Sequence, residues 1–153
     1  MKSILVIDDN RDFRWMVSLA LTQSGYAVRE AGNGREGIQM VIKQTPDLII
    51  CDVKMPELDG YQTLEAIRKC SNTAAIPFIL ITGLKEQDNF RRGMTCGADD
   101  YLSKPFTPSE LVAAVKSRLA LRTSIQTEFL RRTTGQKVEV VSAESNMPVF
   151  CLD

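Results

Sequence analysis

Residues 47–60 read DLIICDVKMPELDG, and the fold is decided there. Leu48, Ile49, Ile50 and Cys51 form a short unbroken apolar run. Such a run between turn signals fits a strand covered on both faces, as in a parallel sheet. Asp52 ends it. After Gly60, the apolar residues Tyr61, Leu64, Ala66 and Ile67 recur at helical spacing. The stretch is one strand–loop–helix unit with an acid at the joint.

The same unit repeats on both sides. Upstream, Ile4 to Ile7 is a second apolar run, and it runs into Asp8-Asp9. Phe13, Met16, Val17, Ala20 and Leu21 then mark a helix, which Gly25 stops. Ala27 to Ala31 alternates weakly and predicts an edge strand. Ile38, Val41 and Ile42 mark a helix that ends before Pro46. Downstream, Phe78 to Ile81 is a strong strand ending at Thr82. Residues 86–96 predict a poor fourth helix, anchored by Phe90 and stopped by Gly97. Tyr101 and Leu102 sit in a short last strand that leads to Lys104. Thr107-Pro108-Ser109-Glu110 is a capping box with proline at the first helical position, ahead of inward-facing Leu111, Val112, Val115 and Leu119. Strict alternation of strands and helices predicts an α/β fold, a doubly wound parallel sheet with helices on both sides.

Composition narrows the function. The 153 residues suit one domain and an appendage, with 44% apolar and 25% charged residues. No run approaches the roughly 18 apolar residues of a membrane span. The N-terminal apolar stretch is short and ends in two aspartates, unlike a signal peptide. A cytoplasmic location is the expectation. Residues 1–121 hold 15 basic and 15 acidic residues, and residues 122–153 hold 4 of each. Neither part has the basic excess that binding to a phosphate backbone needs, so no direct nucleic-acid binding by this chain is expected. The chain has no histidine, which excludes Ser-His-Asp and Cys-His catalysis and histidine-ligated metals. Cys51, Cys70, Cys96 and Cys151 lack zinc-site spacing and read as reduced thiols. Cys51 is expected to pack on the face away from Asp52, since neighbours in a strand point to opposite sides.

In open α/β sheets, ligands bind beyond the carboxyl ends of the strands. Asp8, Asp9, Asp52, Thr82 and Lys104 all fall there. Taken singly, Asp8-Asp9 reads as a helix cap, Asp52 and Thr82 as turn residues and Lys104 as a surface lysine. Taken together they predict a site. Three crowded carboxylates raise one another's pKa unless a cation sits among them. Oxygen-only ligands with open positions suit Mg²⁺, which often bridges to a phosphate. Lysine supplies a point charge for phosphate oxygens, threonine a hydrogen bond, and an ionised aspartate can attack phosphorus. Positioning and charge neutralisation carry most of such a reaction.

The motifs LVIDDN, DLIICDVKMPELDG, ILITG and GADDYLSKPF, in this order and with the capped helix that follows, resemble the receiver domains of two-component response regulators. The chemotaxis regulators are of this kind. The likeness covers residues 2 to about 121. It implies a flavodoxin-like five-stranded sheet in the order 2-1-3-4-5. It implies that Asp52 accepts a phosphoryl group from a sensor histidine kinase or histidine phosphotransfer protein. Asp8, Asp9, Asp52 and the backbone carbonyl of Lys54 would hold Mg²⁺. Thr82 would be the switch hydroxyl, Tyr101 the aromatic that moves with it, and Lys104 the phosphate contact. Pro105 would follow a cis peptide. The surface of the fourth helix, last strand and last helix would change on phosphorylation and meet a partner or a second copy. Lys54 and Leu84, at positions that tune the acyl phosphate's lifetime, offer no carboxylate or amide to align water, so slow self-dephosphorylation is expected.

Two other readings compete. A haloacid dehalogenase-type phosphatase also uses Asp, Thr, Lys and Mg²⁺, but it wants a second aspartate where this chain has Lys54. A pseudo-receiver that signals without phosphate is opposed by the complete set of site residues. The expectation is a signalling module and not a turnover enzyme. Beside the site, Arg11, Asp12, Arg14 and Trp15 are placed to help select a kinase. The plainer reading makes Arg14 part of a solvated face and Trp15 a packing aromatic. Residues 122–153 are an extension or a truncated linker. The last helix is expected to run to about Arg132, with a β-like stretch at Val138 to Val141, and this extension is a second candidate dimer contact.

Overall fold

The computed structural model describes residues 1–83 and 97–134. The helix expected at 86–96, the loop beyond Gly83 and everything after Thr134 lie outside the described residues. The elements are β1 (Ser3–Ile7), α1 (Arg11–Gln23), β2 (Ala27–Ala31), α2 (Gly34–Lys43), β3 (Leu48–Asp52), α3 (Gly60–Lys69), β4 (Phe78–Thr82), β5 (Asp100–Ser103) and a last helix, here α4 (Pro108–Thr134). The strands form one parallel sheet in the order β2-β1-β3-β4-β5. This is the flavodoxin-like order that the resemblance implied.

Alternation along each strand feeds two cores. Leu5, Ile7, Ile49, Cys51, Phe78 and Leu80 point to one face, where Val41, Leu64 and Ile67 cover them. Ile4, Val6, Leu48, Ile50, Ile79 and Ile81 point to the other, under Val17, Leu21, Leu111 and Val115. β1, β3 and β4 are therefore buried on both sides, which is why they read as unbroken apolar runs. β2 is an edge strand and only its last residue is buried.

Helix starts are set by side-chain caps. Asn10 Oδ1 accepts from the Phe13 amide at 3.1 Å, and Asn33 does the same for Glu36 at 2.8 Å. Asp59 and Gln62 form a reciprocal capping box for α3. Asn10 thus caps α1, and Asp8-Asp9 are released from the capping role that their sequence position allowed.

α4 extends past the body. Arg122 Nη1 donates to the Asp47 carbonyl at 3.1 Å, beyond which Ile125, Phe129 and Leu130 are exposed. No helix among the described residues is long and apolar enough to cross a membrane. The cysteines divide. Cys51 is a free thiol, fully buried in the core on the α2–α3 side. Cys70 is disulfide-bonded, with a partner outside the described residues. The reduced reading therefore fails for Cys70. Pairing depends on backbone approach in the fold, which cysteine spacing does not encode.

Candidate phosphoryl-transfer site

Sheet register assembles the site. Ile7 of β1 pairs with Cys51 of β3, so the next residues, Asp8 and Asp52, emerge side by side. Asp52 pairs with Ile81 and Thr82 with Ser103, which brings β4 and β5 to the same edge. Asp8, Asp9 and Asp52 each offer a carboxylate oxygen, and these atoms lie within 4.8 Å of one another. Asp8 and Asp52 are buried, while Asp9 is exposed.

Asp8 is the most constrained of the three. Its Oδ1 accepts from the Asn10 amide at 2.8 Å. Its Oδ2 is buried without a hydrogen-bond partner among the described residues. Burial pushes its pKa up, and the charge of Asp9 adds to that. The Asn10 amide, Lys104 and Arg14 pull the other way and do not offset it. The expectation of a raised pKa is met at Asp8, but desolvation is the main cause and crowding of charge is secondary. A buried, half-satisfied carboxylate beside two others is an oxygen-only donor set. It suits a hard divalent cation.

The other predicted residues surround this cluster. Lys104 Nζ is 3.3 Å from Asp52 Oδ1. The Lys104 amide donates to the Thr82 carbonyl at 2.7 Å, tying the end of β4 to the loop after β5. Thr82 is buried at the end of β4. Tyr101 lies opposite Leu80 in β5, half-buried against the core on the α2–α3 side. The Lys104–Pro105 peptide is cis. Lys54 sits exposed in the loop two residues beyond β3, where the Val53 carbonyl already accepts from Gly60 at 2.8 Å.

Sequence reasoning missed three supports. Arg14 is not merely part of a solvated face: Nη1 donates to the Asp8 carbonyl at 2.6 Å and Nε pairs with Glu30 at 3.0 Å. Gly60 leaves no room for a side chain, since a Cβ would stand 2.4 Å from the Asp52 carbonyl oxygen and 2.8 Å from Val53 Cα. The Phe13 ring centroid lies 4.1 Å from Lys104 Nζ. Arg14 and Phe13 sit in the first turns of a helix beside the acidic pair, and that position was their only signal. Trp15 is 61% exposed and does not belong to either core. Beside it, Met16, Leu19, Ala20, Pro108, Val112 and Lys116 line an open cleft of about 520 Å³ between α1 and α4.

The family described as response regulator receiver domain matches residues 4–116. The chain belongs to the response regulator receiver family. It is 38% identical over 118 residues to the phosphate regulon transcriptional regulatory protein PhoB of Pseudomonas aeruginosa, a match covering 77% of this chain and 52% of that protein. A putative response regulator from Chloroflexus aurantiacus superposes with a TM-score of 0.75 at 39% identity, covering 78% of this chain and 98% of that one. The chemotaxis protein CheY4 of Vibrio cholerae superposes with a TM-score of 0.74 at 33% identity, covering 77% and 98%. This receiver spans about half the length of the curated relatives that it matches. It is a signalling module of the two-component type.

Proposed function

We propose that Asp52 is the phosphoryl acceptor of this receiver and that its donor is a phosphohistidine on a sensor kinase or phosphotransfer protein. The observation that carries this is the grouping of Asp52, Asp8 and Asp9 oxygens within 4.8 Å, with Lys104 Nζ at 3.3 Å from Asp52. An Asp52 carboxylate oxygen attacks phosphorus as the P–N bond breaks. The electron pair leaves with the imidazole nitrogen, which takes a proton, and an acyl phosphate remains on Asp52. A bound Mg²⁺ would neutralise charge on the transferring group. Asp8, Asp9, Asp52 and the Lys54 carbonyl are its proposed ligands. Asp8 holds an oxygen ready for that cation, and Arg14 keeps the Asp8 backbone in place. Lys104 meets the phosphoryl oxygens as a point charge.

The product carries close to two negative charges and three acceptor oxygens. In this reading Thr82 turns its hydroxyl toward them, and Tyr101, on the neighbouring strand, follows. The surface formed by β5 and α4 then changes and is read by a partner, an output domain or a second copy. The cleft between α1 and α4, flanked by exposed Trp15, is the proposed kinase contact. The protruding end of α4 is a second candidate for self-association. The domain acts in the cytoplasm and has no direct contact with nucleic acid, in keeping with its balanced charge. It catalyses its own phosphorylation and does not turn over substrate. A dehalogenase-type phosphatase remains disfavoured by Lys54, and a pseudo-receiver by the complete acidic cluster. Beryllofluoride with Mg²⁺ tests the proposal. It should shift amide resonances at Thr82 and Lys104 in wild type and leave Asp52→Asn unchanged. Equal responses in both would refute it.

A further inference from the structure

We infer that Phe13 is a positioning residue for Lys104 and holds its ammonium at Asp52 through the face of the ring; this rests on the acceptor reading above. Lys104 Nζ lies 4.1 Å from the Phe13 centroid and 3.3 Å from Asp52 Oδ1, so the ammonium is held between a ring and a carboxylate. That distance is well inside the roughly 6 Å reach of a cation–π contact.

Phe13 is itself held at its backbone and at its ring. Its backbone amide donates to Asn10 Oδ1 at 3.1 Å, within the cap of α1. Its ring makes a T-shaped contact with Phe106, with centroids 5.7 Å apart and planes at 80°, and Phe106 follows Lys104 by two residues. α1 and the loop after β5 are thus joined across the lysine. Lysine needs such a hold, because it is a compact charge on a flexible four-carbon stem. Its side chain here is one-third exposed, so water competes for it.

A ring face suits this task better than a carboxylate. It attracts the charge but accepts no conventional hydrogen bond. No competing acceptor atom claims the ammonium, so donors remain for Asp52 and the incoming phosphoryl oxygens. An acid at position 13 would compete with the acceptor, and an aliphatic residue would let the ammonium drift into solvent. The simpler reading is that Phe13 only fills space beside Phe106, and it predicts a different response to substitution.

The test uses the full chain with acetyl phosphate and Mg²⁺, which removes any effect of kinase docking. Labelling is followed by intact mass, with the variants Phe13→Leu, Phe13→Tyr and Lys104→Ala and the double variant Phe13→Leu/Lys104→Ala. Phe13→Leu keeps the bulk and loses the ring charge distribution, so labelling should slow roughly three- to tenfold. Phe13→Tyr should restore the rate to within about twofold. On the Lys104→Ala background, Phe13→Leu should have no further effect, a non-additivity that a space-filling role does not give. Wild-type speed in Phe13→Leu, or an equal slowing with and without Lys104, overturns the inference alone. Absent labelling of wild type, or full labelling of Asp52→Asn, removes the acceptor reading and the inference with it.

Discussion

Lys104 Nζ stands 3.3 Å from Asp52 Oδ1, joining the loop after β5 to the end of β3 across the edge of the sheet. Asp52 is buried and Lys104 one-third exposed, so the pair is screened on one side only. Its contribution to stability is small, of the order of 1 kcal/mol or less. If Asp52 is the acceptor, as proposed, its contribution to phosphoryl transfer should be larger, because the charge acts where the transition state gathers charge. Lys104→Met should therefore slow phosphorylation by acetyl phosphate about 10- to 100-fold. Its unfolding midpoint should stay close to that of wild type. A slow variant that has also lost most of its stability would point to a structural lysine.

Asp8 gives the pH prediction. Burial raises its pKa in the folded chain above the ordinary value of 3.8. The folded state then holds the proton over a pH range where the unfolded state has lost it. By linkage, stability from this group falls as pH rises through that range, and at neutral pH the ionised Asp8 is a cost. Metal-free protein should therefore gain stability from Asp8→Asn at pH 7, and the gain should shrink as pH falls toward 4 in denaturant titrations. A cation held by Asp8 reverses the sign. Mg²⁺ at a hundred times its Kd should stabilise wild type by about 2.7 kcal/mol. Asp8→Asn should lose most of that. Equal Mg²⁺ stabilisation of both would remove Asp8 from the ligand set.

Gly60 is a steric prediction. A Cβ there meets backbone atoms of Asp52 and Val53, which cannot rotate away. Gly60→Ala should destabilise the domain by roughly 1–3 kcal/mol through overpacking. It should also displace Asp52 and slow labelling. A variant with wild-type stability and rate would show that the strand end yields easily.

The lifetime of the proposed acyl phosphate gives a prediction from residue type at positions 54 and 84. Lys54 and Leu84 cannot align an attacking water. Purified phosphoprotein should keep its label through desalting in Mg²⁺ buffer, and Lys54→Glu should shorten the lifetime severalfold. Rapid loss from wild type would show that another group aligns the water.

The fold was legible because β1, β3 and β4 are covered on both faces, so their burial is written as apolar runs. Their order in the sheet was not written in periodicity and came from family resemblance. The acids were legible because each ends a strand. Their supports were not. Asn10 displaced Asp8-Asp9 as the helix cap, a choice set by a one-residue shift in where α1 begins. Arg14 and Phe13 act through residues far along the chain, at Glu30 and Lys104, and single-residue patterns carry no such information. Trp15 read as a packing aromatic because its size favours burial, yet the α1 face that packs carries Val17 and Leu21 instead. Gly60 read as a helix start. Its closeness to Asp52 appears only once the loop has closed.

The most direct measurement is the mass of the intact chain after incubation with acetyl phosphate and Mg²⁺, followed by mapping of the modified residue. The account predicts one added phosphoryl group on Asp52 in wild type, none in Asp52→Asn and none when Mg²⁺ is chelated. Unmodified wild type, or a phosphoryl group that persists in Asp52→Asn, would contradict it.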